Sequence, residues 1–294
     1  MFRGICEMIV LLDHTEVYYS GDRITNYNFY SSNALVVFFF LSGYLTYKAT
    51  GFDLKKKMKS LFKCILLPYF IFTSVLAFPK ALVHGSEMGV ADALCAVAGG
   101  QASWFVAALF VADLIFFTAI RAARGSNAVL TAVAVVCFGG SIWLSTVSHP
   151  NYWQLENGLQ GVLFLYMGHM YHKYEPFFNR FNTWQFNVLL FLSLILVKTY
   201  VYVNGVNMLI CPVNITSYPV FLIDITVFLL FFVNVFKALP ECRWLGWTGS
   251  HTIVYYFFCG AVPMAVSMLF NRMGFPYQGG YLSVGATALS FKIL

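Results

Sequence analysis

Apolar residues fall in long blocks along this chain, separated by short polar breaks. Ten blocks approach the length of about 20 residues that a helix needs to cross a bilayer core. They are 2–19, 30–50, 60–83, 102–121, 127–147, 158–173, 184–203, 217–237, 249–270 and 280–294. The breaks carry turn-forming residues: Ser20-Gly21-Asp22, His149-Pro150-Asn151, Asn204-Gly205 and Pro276 to Gly280. No stretch reads as a separate soluble domain, and no internal repeat is visible. The pattern predicts an all-α polytopic membrane protein, a single domain over 1–294, with about ten transmembrane helices around a polar cavity. The first block is the most polar, with Arg3, Glu7, Asp13 and His14. No small-residue cleavage site follows a continuous apolar core there, so the segment is expected to stay as structure.

Composition agrees with this pattern. Hydrophobic residues make up 60% of the chain and charged residues 10%, against about 25% charged in an average soluble domain. Mean hydropathy is +0.72. A soluble globular enzyme, a disordered protein and a nucleic-acid binder are excluded. The seven cysteines form no CxxC pair and no metal spacing, and they lie mostly in apolar stretches, so they read as small buried hydrophobes.

The net charge of +6 gains meaning from its distribution. Lys and Arg concentrate in cytoplasmic loops. With Lys55-Lys56-Lys57-Met58-Lys59 taken as a cytoplasmic loop, ten spans place 14 of the 18 basic residues inside and 4 outside. Arg3, Lys48, Lys63, Arg121, Arg124 and Lys173 are among the inner ones. The N-terminus is then cytoplasmic. The lysine run reads as an orientation signal near anionic headgroups, and a role in holding ligand phosphates is the sharper alternative.

Ionisable groups inside a membrane are expensive and usually face a cavity or a partner. Arg3 and His14 are eleven residues apart. At about 100° per residue they return to within about 20° of the same helix face, roughly 16 Å apart along the axis. Arg3 would mark the cytoplasmic edge and His14 a point near or beyond the midplane. A neutral imidazole there suits general-base chemistry. Alternatively, the histidine simply faces another helix while Arg3 anchors the end. Asp13 points about 100° away from its neighbour and cannot orient it on the same helix.

The stretch from Arg3 to His14 resembles the Arg-x10-His signature that opens the membrane acyltransferase 3 family of integral-membrane O-acyltransferases. Phe38-Phe39-Phe40-Leu41-Ser42-Gly43-Tyr44 resembles the Ser-Gly-aromatic motif of that family's second helix. Lys63-Cys64-Ile65-Leu66-Leu67-Pro68-Tyr69 is similar to its basic entry to the third. Ser103-Trp104-Phe105 resembles the Trp-Phe motif of the fourth, and Phe164 to His169 a later aromatic-rich Gly motif. The resemblance covers nearly the whole chain. Two departures stand out: Cys64 occupies the place of a second basic residue, and Cys259 falls where a late histidine often stands.

The resemblance implies transfer of an acyl group, acetyl first among the options, from cytoplasmic acyl-CoA to a hydroxyl of a cell-surface carbohydrate, glycolipid or related acceptor. His14 would be the catalytic base, or alternatively a transient acyl carrier. Arg3 and Lys63 would meet the donor's phosphates, with Ser42, Tyr44 and Trp104 as further substrate-binding positions. No bound cofactor, metal or nucleic acid is implied. The expected location is a bacterial inner or plasma membrane, spanned several times. Tyr18, one turn above His14, is placed to contact it. Asp113 and Asp224 would either orient the imidazole or pair helix to helix. His169 and His172 read as residues of the inner interface rather than a metal pair, and Trp104, Trp143, Trp184, Trp244 and Trp247 as interface anchors. The rival reading is a proton-coupled transporter or flippase that uses the cavity without acyl transfer.

Overall fold

The structure, a computed structural model, describes residues 1–21, 26–83, 89–274 and 284–285. Helices dominate it in chain order: α1 Phe2–Thr15, α2 Ser31–Thr46, α3 Leu54–Leu61, α4 Leu67–Val83, α5 Val90–Ala98, α6 Trp104–Ala123, α7 Asn127–Ser145, α8 Leu155–Lys173, α9 Glu175–Asn179, α10 Trp184–Val203, α11 Tyr218–Ala238, α12 Arg243–Ser250, α13 Thr252–Phe258 and α14 Ala261–Arg272. Two strands of two residues each, β1 Met208–Leu209 and β2 Asn214–Ile215, pair with each other.

Among the described residues, five helical stretches are long and apolar enough to cross a membrane: Leu54–Leu76, α6, α7, α10 and α11. The bent pair α13 and α14 makes a sixth if counted as one span. The blocks expected at 102–121, 127–147, 184–203 and 217–237 match α6, α7, α10 and α11 to within two residues at each end. The expected block 158–173 lies within α8, which also carries Glu156, Asn157, Gln160, His169 and His172. The expected tenth block, 280–294, lies outside the described residues apart from 284–285.

Three differences from the expectation have local causes. The lysine run is helical rather than a loop. Lysine is a good helix former, and the Asp53 side chain caps α3 by accepting from the Lys56 amide at 3.0 Å. The block at 249–270 breaks at Cys259-Gly260, with a 48° bend between α13 and α14. Pro263 sits in the first turn of α14, where its missing N–H leaves no bond unmade. The cysteines are not uniformly buried. Cys6 and Cys259 are, whereas Cys64, Cys95 and Cys242 are exposed, on positions where a small apolar thiol needs no polar partner.

The chain divides into two compact units. Met1–Phe38, Phe181–Leu209 and Ile215–Leu294 form the first. In it α1 packs on α12 and α13, and α10 on α11. A Cβ at Gly4 would overlap the Leu245 carbonyl oxygen, so glycine lets α1 touch the backbone of α12. Phe39–Arg180 and Ile210–Asn214 form the second unit, where α8 packs against α6 and α7. The last part of α2 lies against α8 through two glycines. A Cβ at Gly43 would overlap the Leu165 carbonyl, and one at Gly168 would overlap the Phe40 carbonyl. Lipid gives helices no hydrophobic reason to associate, so close backbone approach through small residues does that work.

Gly168→Ala is therefore expected to destabilise the protein by about 1–3 kcal/mol through overpacking. Gly246→Ala, where an added Cβ meets open space inside α12, is expected to be neutral or to stabilise by up to about 1 kcal/mol. Thermal unfolding of the two variants in detergent checks the pair, and equal melting would contradict the packing described.

Candidate functional site

In the first unit, α1 is continuous from Phe2 to Thr15, so Arg3 and His14 do occupy one uninterrupted helix. Glu7, Asp13 and Thr15 are buried, whereas Arg3 and His14 are half-buried. Asp13 accepts a hydrogen bond from the Ser31 hydroxyl of α2 at 3.1 Å, which directs this carboxylate to α2. Beyond Thr15 the helix widens into a π segment, Glu16–Ser20. Such segments are rare and recur at functional sites. Tyr18 of that segment stacks over His14, ring centroids 6.2 Å apart and 12° from parallel, as its position one turn above predicts.

The same unit holds a buried charge cluster. Lys198 of α10 reaches Asp224 of α11 at 2.8 Å. Its ammonium also donates to the Asn33 side-chain oxygen at 2.8 Å and the Asn28 carbonyl at 3.0 Å. The Asn33 amide donates to the same Asp224 oxygen at 2.8 Å. Every ammonium donor is thereby used, which is what a charge so deep in the fold requires. Asp224 is thus engaged in helix-to-helix pairing.

In the second unit the motif residues make specific pairs. The Ser42 hydroxyl donates to Asp113 of α6 at 2.9 Å. The Tyr44 hydroxyl donates to Glu175 at 3.0 Å, and its ring stacks on His172, centroids 4.1 Å apart and 9° from parallel. His172 Nδ1 donates to the Tyr44 carbonyl at 2.6 Å. Trp104 opens α6, and Trp143 and Trp184 also lie at helix ends. Lys63 is exposed, in a second π segment, Phe62–Leu66.

Sequence reasoning missed a cavity of about 370 Å³ in this unit, lined by Lys48, Arg121, Arg124, Lys173, Tyr47 and His169 among others. It forms where α6 and α8 end. Arg124 ends α6 in a left-handed conformation, φ 47°, followed by Gly125 at φ 91°. Lys173 is tied to Asn127 at 2.6 Å. The buried His169 Nδ1 has no hydrogen-bond partner among the described residues, and its ring meets Tyr47 edge-on at 5.3 Å. Cations at helix C-termini offset the helix dipoles. Four of them around one concave space also concentrate positive charge there. Among the described residues no group of three His, Cys, Asp or Glu side chains could hold a metal ion.

The chain matches the Acyl_transf_3 family, an acyltransferase domain, over residues 1–293 and belongs to it. No curated protein matches the chain, and no solved structure does.

The charge cluster carries its own prediction. Lys198→Met strands a buried carboxylate and is expected to cost about 3–5 kcal/mol, whereas Lys198→Met with Asp224→Leu recovers most of that loss. Unfolding of both variants in detergent measures the difference, and equal losses would refute the pairing.

Proposed function

We propose that this Acyl_transf_3 chain is a membrane-embedded O-acyltransferase that moves an acyl group, acetyl in the first instance, from cytoplasmic acyl-CoA to a hydroxyl of a cell-surface carbohydrate or related acceptor. The observation that carries this reading is the family match across residues 1–293. The cavity of Lys48, Arg121, Arg124 and Lys173 supports it with charge suited to the donor's phosphates. In the ten-span orientation all four residues lie on the cytoplasmic side, with the N-terminus. Arg3 and Lys63 are the further cations that the motifs assign to the donor. Ser42, Tyr44 and Trp104 are assigned to substrate binding on the same basis.

Acyl transfer needs a base for the acceptor hydroxyl and a donor held in place. In this reading His14 takes the hydroxyl proton as the oxygen attacks the thioester carbonyl. The thiolate then leaves and recovers that proton from the imidazolium. An imidazole can accept a proton and give it back, so one histidine serves both steps. The half-buried position of His14, in the last turn of α1 just ahead of a π segment, suits this role better than a fully packed histidine would.

The bend at Cys259-Gly260 favours a second reading, a proton-coupled transporter, because transporters build sites from broken helices. The two readings diverge on covalent chemistry. Vesicles of the native membrane containing the full chain, supplied with radiolabelled acetyl-CoA, are expected to incorporate label into envelope material. His14→Ala is expected to abolish incorporation while inserting normally. Label transfer at the full rate by that variant would refute the assigned base, and no transfer by the unaltered chain would favour the transporter.

The cavity is tested separately. Arg121→Gln and Arg124→Gln are each expected to raise the KM for acetyl-CoA about 10–100-fold, the worth of one charge-assisted hydrogen bond, with kcat little changed. An unchanged KM would remove the cavity from donor binding.

A further inference from the structure

The reaction proposed above passes through a tetrahedral intermediate whose carbonyl oxygen carries negative charge, and some group must donate a hydrogen bond to it. We propose that the Tyr18 hydroxyl is that donor, an inference that rests on the acyl-transfer reading.

Four observations in the first unit point to it. Tyr18 is the ring next to His14, at 6.2 Å and 12° from parallel. Tyr18 lies within the π segment, four positions beyond His14 in the last turn of α1. Tyr18 is 40% exposed, and its hydroxyl makes no hydrogen bond among the described residues. Its neighbour Tyr19, in contrast, packs edge-on against Phe270 of α14. Finally, the hydroxyl stands beside the break between α13 and α14. A Cβ built on Gly260 would come within 3.5 Å of the Tyr18 oxygen. The phenol oxygen thus lies against the backbone of this bend.

The chemistry assigned to the pair is balanced. The acceptor oxygen forms a bond to the thioester carbon as His14 takes its proton. The carbonyl electron pair moves to oxygen, and the Tyr18 O–H donates to that oxyanion without transferring its proton. Collapse restores the carbonyl, breaks the C–S bond and expels thiolate, which receives the proton held by His14. Tyr18 ends as it began. An aromatic side chain serving only as an interface anchor or a packing partner would need its ring but not its oxygen.

Tyr18→Phe separates the two roles because it removes only that oxygen. The assay is label transfer from radiolabelled acetyl-CoA in native membrane vesicles, with the unaltered chain and His14→Ala beside it. The expected result is a fall in kcat of about 100-fold, with the KM for acetyl-CoA and the melting temperature in detergent unchanged. A fluorinated tyrosine at position 18, a stronger hydrogen-bond donor with the same ring, is expected to keep at least the original kcat. If Tyr18→Phe runs at the full rate while His14→Ala is inactive, this inference falls and the proposed function stands. If Tyr18→Phe loses activity only as far as its melting temperature or donor KM has shifted, the hydroxyl is structural and the inference also falls. If the unaltered chain transfers no label, both fall together.

Discussion

Lipid has no hydrogen bonds to offer. Any polar group carried into the bilayer must be answered from within the protein, and this constraint explains where the side chains of this chain point. Asp13 is answered by Ser31, Asp113 by Ser42, and Asp224 by Lys198 and Asn33. In each case the partner comes from a different helix, so satisfying the charge also fixes how two helices meet. The cost of burying each charge is offset by its pairing, and breaking one partnership is far more disruptive than never having had it.

A second constraint follows. With no water to drive helices together, contact depends on how closely backbones approach. In the second unit Gly43 and Gly168 bring α2 onto α8 with carbonyls where a side chain would otherwise stand. These glycines belong to two of the motifs that carry the family resemblance. Their place in those motifs has a packing cause, while the adjacent Ser42 and Tyr44 hold the polar contacts that the close approach allows.

Much of this was legible in the sequence. Apolar blocks at 102–121, 127–147, 184–203 and 217–237 reappear as helices because hydrophobic length alone decides such segments. The helical phase linking Arg3, His14 and Tyr18 could be counted directly, since all three sit on one continuous run. The lysine run was harder. Its charge argued for a loop, although Asp53 ahead of it is a capping signal. The cationic cavity was not legible, because Lys48, Arg121, Arg124 and Lys173 are scattered along the chain and each doubles as an orientation signal. Only the meeting of the α6 and α8 ends gathers them. The break at Cys259-Gly260 had its cue in Gly260 and Pro263, but an apolar run hides where a helix turns aside.

The wide turn at Glu16–Ser20 sits downstream of an anchored segment, with α1 pinned against α12 at Gly4. A wide turn of this kind holds one residue beyond what an ordinary coil would need there. Chain length at this spot thus acts as a tuning peg. Dropping a single residue would restore the regular coil and redirect the side chains within the turn, Tyr18 among them, leaving the guanidinium and the imidazole as they were. One insertion or deletion at this spot re-aims the phenol without rebuilding the helix.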